Sequence, residues 1–262
     1  KHLPLGLFLG ANKYIPEFER TLVNPKFVGC IVGRFTPARL RLAYELDQAF
    51  PGDNFTVFQG RTWTNGEPFK QMYQKELEWF ANKQFDQDIT FASPIGAVGF
   101  DAAYKNYPNI WNQYQIEVVA ETDPVSDFWF TEKTAKPLLA RRMFIALSGY
   151  KFLENLRQEG FRTFDGIVDE SYDLETDSVR RLEKIVASMK KIQSLSGHRR
   201  EVFLENMQQI AEYNKRHFFG NNFKNMIINE YKENLQSGLG LLRDTKQGTY
   251  YYQYKEINVA HG

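Results

Sequence analysis

The sequence predicts an α/β fold: a parallel sheet with covering helices, followed by a C-terminal segment that is helical only. Three observations carry this. Short β-rich apolar runs alternate with amphipathic stretches of helical length up to about residue 175, the stretches between runs are long enough to serve as crossovers, and from 176 to 238 only helical periodicity remains.

The elements follow in order. "FVGCIVG" (27–33) is a short apolar strand. "TPARLRLAYELDQAF" then opens a helix with Thr36 as N-cap and Pro37 at the first helical position, and brings Leu40, Tyr44 and Leu46 toward one side. "NFTVFQG" (54–60) is a second strand closed by Gly60, and "EPFKQMYQKELEWFANK" (67–83) a helix with Phe69, Met72, Tyr73, Leu77 and Phe80 at helical spacing. Signals are weak from 88 to 114. "YQIEVVAET" (114–122) is a third strand, "TEKTAKPLLAR" a helix opened by Thr131, "RMFIALSG" a fourth strand ending at Gly149, and "YKFLENLRQEG" a helix stopped by Gly160. In the helical remainder, Leu182, Ile185, Val186, Met189 and Ile192 make one apolar stripe and Phe203, Met207 and Ile210 another, with a break at "SLSGHRR". The last stretch, "TKQGTYYYQYKEINVAHG", reads as an edge strand or a loose tail. Alternating strands and helices of this kind describe a Rossmann-like parallel sheet, whose ligands sit at the carboxyl ends of the strands.

Composition narrows the function classes. At 262 residues, 42% apolar and 15% aromatic, the chain can bury a substantial core. A formal charge of +1 provides no global field for nucleic acid or anionic lipid, so electrostatic recognition has to be local. The lone Cys30, among apolar neighbours, excludes an internal disulfide and reads as a core thiol. No run approaches a membrane span, and the apolar core of "KHLPLGLFLG" is too short for a signal peptide; the expectation is a soluble, cytoplasmic protein without membrane contact. His2, His198, His217 and His261 are scattered without metal-ligand spacing, so no metal site is expected. Neither a P-loop nor a nucleophilic triad is present.

The chemistry concentrates at 121–136. Glu121 falls at the carboxyl end of a predicted strand, and Glu132 and Lys133 in the first turn of the next helix, facing the same crevice. A helix start offers N–H donors and partial positive charge to a diphosphate, and an ammonium there adds to it. Lys136, one turn on, shares that face, and a carboxylate such as Glu132 accepts hydrogen bonds from a ribose diol. On spacing alone, Glu132 and Lys136 read first as an exposed i,i+4 ion pair.

"FTEKTAKPLLARRMFIALSGYKFLENLRQEGFRTFDGIVDESYD" resembles the TEKTxKP…GFxTF…DESYD block of a family of bacterial and phage glycosyltransferase-like proteins. Its first half is similar to the donor-binding TEK segment of α1,3-fucosyltransferases. The resemblance is closest over 114–192, weaker over 27–60, where "VGRFTPARLRL" is similar to the family's strand and Arg-containing helix start, and slight before 27 or after 195. It implies a GT-B enzyme that uses a nucleoside-diphosphate sugar as donor substrate, with no cofactor. By position Glu132 would hold the ribose, Lys133 the diphosphate, and Arg34, Arg39 or Arg41 would complete the anion clamp, with Thr131, Lys136, Gly149 and Tyr150 lining the donor site. Lys133 and Arg39 would stabilise the leaving group, and Glu121 is the candidate general base by location only. Ala135 stands where the family has an aromatic.

The implied organisation is an N-terminal segment (1–26), a nucleotide-sugar-binding domain (27–195) and a helical segment with tail (196–262). GT-B enzymes devote a further domain to the acceptor, so either that domain is abbreviated here, or the helical end or a partner chain, in a homo-oligomer or otherwise, supplies that surface. The acceptor hydroxyl is open; hydroxymethylated cytosine in phage DNA is one candidate, which would place the protein in the host cytoplasm. The alternative is a non-catalytic nucleic-acid-binding or interaction protein that kept the fold, with Arg180, Arg181, Lys190, Lys191, His198, Arg199 and Arg200 along one helical edge. Glu183, Glu201 and Glu205 interleave there, as on a solvated helix face. Without the resemblance, Arg34, Arg39 and Arg41 read equally as the start of an amphipathic helix, and Asp169, Glu170 and Asp173 as caps, with Thr176 or Asp177 capping the next helix.

Overall fold

A computed structural model of the chain describes residues 25–32, 36–58, 71–83, 110–121, 128 and 130–244, with backbone only at 58, 132, 234 and 237–244. Four strands, β1 (Lys26–Val32), β2 (Asn54–Phe58), β3 (Tyr114–Ala120) and β4 (Met143–Leu147), form one sheet of order β2-β1-β3-β4 in which every neighbouring pair is parallel. The seven α-helices among the described residues are α1 (Pro37–Ala49), α2 (Gln74–Asn82), α3 (Glu132–Leu139), α4 (Phe152–Gln158), α5 (Ser178–Gln193), α6 (Gly197–Phe219) and α7 (Asn221–Asp244). A 3-10 turn spans Ser171–Leu174. All four expected strands are present; β3 stops two residues before its expected carboxyl end, and β4 is trimmed by one residue at the start and two at the end. The helical region divides at 194–196, inside the expected break. Expectations for 1–24, 84–109 and 245–262, including the C-terminal tail, lie outside the described residues.

Strand order and helix placement are linked. The β1-α1-β2 and β3-α3-β4 crossovers run outward in opposite directions from the centre of the sheet, and right-handed connections then put α1 and α3 on opposite faces. Helix α5 packs beside α1, and α6 lies on α3 and β4. Side chains alternate between the faces. The register sets Glu117 opposite Gly29 and Phe144, on the α3 face. Gly29 is required there, because a Cβ would come within 2.2 Å of the Tyr114 ring. That ring stacks on Phe55 at 5.7 Å and carries the Arg142 guanidinium at 5.0 Å.

One hydrophobic cluster runs from Phe27 through the sheet to Ile227. Both predicted helical stripes point into it: Leu182, Ile185, Met189 and Ile192 are buried, as are Phe203 and Met207. Phe161 is the centre of an aromatic group, 4.7 Å from His217, 4.8 Å from Phe223 and 5.9 Å from Phe130. Gly160, just before it, has φ of 87°, and a Cβ there would meet His217 at 2.6 Å, so glycine is needed for both backbone and space. The Cys30 thiol is fully buried, and burial pushes its pKa up to about 12, so it stays protonated as a core group. No described helix is long and apolar enough to cross a membrane.

Candidate functional site

In a sheet of order β2-β1-β3-β4 the chain leaves β1 and β3 in opposite directions, which opens a crevice at their carboxyl ends. Two segments flank it: the first turn of α1, which carries Arg39, and the start of α3, which carries Thr131 to Lys133. Glu121, the first residue after β3, lies between them.

Glu121 is 3% exposed, and its carboxylate is a hydrogen-bond hub. Oε2 accepts from Thr131 Oγ1 at 2.6 Å, and Oε1 from Thr134 Oγ1 at 2.6 Å. The backbone N–H groups of Thr131 and Thr134 each donate to Oε1 at 3.3 Å. Thr131 is the N-cap of α3, and its Oγ1 accepts from the Lys133 N–H at 3.2 Å. The general-base role suggested for Glu121 by location therefore does not fit: both oxygens are buried and engaged in capping. The N–H groups of Thr131, Lys133 and Thr134 are likewise taken by the chain itself, so these three do not await a diphosphate as expected.

Arg39 is 3% exposed, and its Nη2 donates to the carbonyl oxygens of Ala120 and Glu121, both at 3.2 Å. It stands at the crevice, packed under the end of β3. Two residues along the helix, Arg41 points elsewhere: it pairs with Glu45 at 2.7 Å and with Glu76 of α2. Arg41 and Glu45 also line a groove of about 250 Å³ between α1 and α5, with Leu182, Glu183, Val186 and Lys190; Arg39, Glu121 and Lys133 do not line it. Arg39 and Arg41 thus cannot form one clamp. Arg34 lies outside the described residues.

Lys133 is half-buried in the first turn of α3, beside Glu132, whose side chain is not described. Lys136 is 8% exposed, and its charge acts on Glu117, which excludes both the donor-facing position and the exposed ion pair that spacing suggested. Glu117 is buried beneath α3 with Lys136, Arg142 and the Tyr114 hydroxyl, which donates to it at 3.1 Å. Burial pushes its pKa up to about 7 against the opposing pull of the two cations. Periodicity missed this group because "YQIEVVA" reads as a plain apolar strand; a Glu within a strand buried on both faces was the available signal.

Gly149 accepts from the Phe152 N–H at 3.3 Å where the chain turns from β4 into α4, and Tyr150 is 37% exposed at the same edge, with Lys151 Nζ 5.7 Å from its ring centroid. Asp173 caps α4, accepting from the N–H groups of Leu153 at 2.9 Å and Glu154 at 3.2 Å. Glu170 accepts from the Phe164 N–H at 2.7 Å, the Thr163 hydroxyl at 2.8 Å and Arg157 at 3.0 Å. Asp177 caps α5. The acidic "DESYD" group is thus structural, as its position before a helix suggested.

Family models, curated proteins and solved structures return no match to this chain. The likeness carried by the 130–173 block and by "VGRFTPARLRL" therefore rests on this sequence alone.

Not all of the basic residues expected along a helical edge are on the surface. Arg181 is buried and donates to the carbonyl oxygens of Glu175 and Ser148. Lys191 pairs with Asp169 at 2.9 Å, and Arg200 donates to Gln115 at 3.0 Å, while Arg180 and Arg199 are exposed. Among the described residues no group of three His, Cys, Asp or Glu side chains has metal-binding geometry.

Proposed function

We propose that the chain is a nucleotide-sugar-dependent glycosyltransferase of the GT-B type, with its donor at the carboxyl edge of the sheet. The observation that carries the reading is the approach of Arg39 and the Thr131–Lys133 turn from opposite sides of the β1/β3 crevice, the position at which α/β sheets take nucleotides. Lys133 is the diphosphate ligand and Glu132 the ribose acceptor. As the glycosidic bond to the diphosphate breaks, negative charge grows on the leaving oxygen, and the Lys133 ammonium stabilises it where it develops. Arg39 supports the site by fixing the β3 terminus. The acceptor is a hydroxyl, hydroxymethylated cytosine in DNA being one candidate.

Isothermal titration with UDP, GDP, ADP and dTDP tests the reading. Wild type is expected to bind one of them, and Lys133→Ala, still folded, to bind it at least tenfold more weakly, about 1.4 kcal/mol. Glu132→Ala should weaken the nucleoside diphosphate and spare pyrophosphate. Equal affinities in wild type and Lys133→Ala would take Lys133 out of the site.

A further inference from the structure

Glu121 is connected in two directions. Its carbonyl oxygen accepts from Arg39 on α1, and its carboxylate accepts four hydrogen bonds from Thr131 and Thr134 on the far side of the crevice. The chain returns to this carboxylate ten positions later at Thr131, and again at thirteen at Thr134. Both threonines give their hydroxyl and their N–H, so Glu132 and Lys133 are bracketed by two fixed residues. The buried charge also sits where the partial positive end of α3 would otherwise attract an anion.

We infer that Glu121 is a positioning residue. It holds Arg39 and the Glu132–Lys133 turn at a set separation across the crevice, so that the donor diphosphate is met by side chains and not by the helix end. The inference rests on the donor site proposed above. It makes a prediction of unusual sign. If the helix end itself were the anion site, removing a carboxylate from it would tighten nucleotide binding, since like charge is withdrawn and N–H donors are freed. If Glu121 positions the turn, the same change weakens binding.

The test is titration of wild type, Glu121→Gln, Lys133→Ala and the double variant with whichever of UDP, GDP, ADP or dTDP wild type binds. Glu121→Gln keeps the shape but turns an amide N–H toward the donors of Thr131 or Thr134. It is expected to lose affinity by roughly tenfold or more, as displaced binding groups do. The double variant should be no weaker than the worse single variant, because a displaced Lys133 has no contact left to lose. In Glu121→Ala, formate at high concentration should restore part of the affinity by filling the vacated carboxylate position, which a mere packing role would not allow. If Glu121→Gln does not fold, Thr134→Val, which removes one hydroxyl donor, is expected to show the same loss and Thr134→Ser to recover it. Unchanged or tighter binding by the folded variants overturns the inference and leaves the donor site standing. Wild type that takes none of the four nucleotides overturns both.

Discussion

A chain ending at Leu195 should fail to fold cooperatively, because α6 and α7 cover the α3 face of the sheet. The loss can be estimated from the rings left behind. Phe130 and Phe161 are 1% and 3% exposed, and deletion takes away their partners His217, Phe218 and Phe223. Uncovering a large apolar side chain costs about 1.5–3 kcal/mol, so these two account for roughly 3–6 kcal/mol. The apolar side of α3 and the outer side of β4, on which α6 lies, add to this. The removed Asn214 amide also pairs with Arg162, accepting from its N–H and donating to its carbonyl, both at 2.8 Å. A domain is stable by only about 5–15 kcal/mol, so the deletion approaches or exceeds the whole margin. Circular dichroism on heating is the assay: wild type should show one sigmoidal transition and the truncated chain none. A milder change, Phe223→Ala, should cost about 3–5 kcal/mol. At about 2–4 °C per kcal/mol, the melting temperature falls by roughly 6–20 °C. A truncated chain that melts cooperatively near the wild-type temperature would refute the covering role, and one that also binds nucleotide would leave the helices free to serve the acceptor.

Two further changes probe buried carboxyls. Glu117 has a folded-state pKa pushed up to about 7 from 4.5, so the folded protein binds the extra proton over that interval. Its contribution to stability is therefore full below about pH 4.5, declines as pH rises to about 7 and is flat beyond, at about 1.4 kcal/mol per pKa unit. Denaturant titrations between pH 4.5 and 8 should show this decline of a few kcal/mol in wild type and not in Glu117→Gln; an equal slope in both would clear Glu117 as its source. Asp169, held down at about 2 mainly by the hydrogen bond from Lys191, loses its contribution only as pH falls below the ordinary carboxylate range, and so does not overlap. Asp173→Ala should lower stability by about 0.5–2 kcal/mol through loss of the α4 cap, with Asp173→Asn recovering part of it. Thermal melts decide it, and no change in either variant would mean the cap is idle.

What the sequence reveals depends on how far apart the partners lie. The strands were legible because their apolar runs are short and bounded, and the caps at Thr131 and Asp177 because a cap and its helix are neighbours. Local spacing does not reveal the place of Lys136, because its charge acts on Glu117, nineteen residues earlier on a strand, and only the register that sets Glu117 opposite Gly29 on the α3 face brings them together. Arg39 and Arg41 look alike in sequence, yet two residues on a helix turn the side chain through about 200°, which sends one to β3 and the other to Glu76. For Glu121, location alone suggests the right edge of the sheet and the wrong task. Its task is set by two threonines ten and thirteen residues later, a separation that no local pattern reports.

The residues of the 130–173 block can be divided by asking which of them folding itself demands. Thr131 and Thr134 bind Glu121, Gly160 takes a left-handed backbone against His217, Phe161 and Phe164 are buried, and Glu170 and Asp173 tie down backbone N–H groups. Each would be retained in a protein selected only to fold this way, so likeness at these positions speaks for architecture before chemistry. At position 133 the cap alone leaves the side chain open. The bond to the Thr131 cap is made by the backbone N–H, which every residue except proline supplies, so the cap does not specify lysine there. The function is therefore best interrogated at Lys133. Nucleotide binding lost there with stability retained would report on the site, whereas binding lost at Thr131 or Thr134 could arise from a displaced turn as readily as from a lost contact.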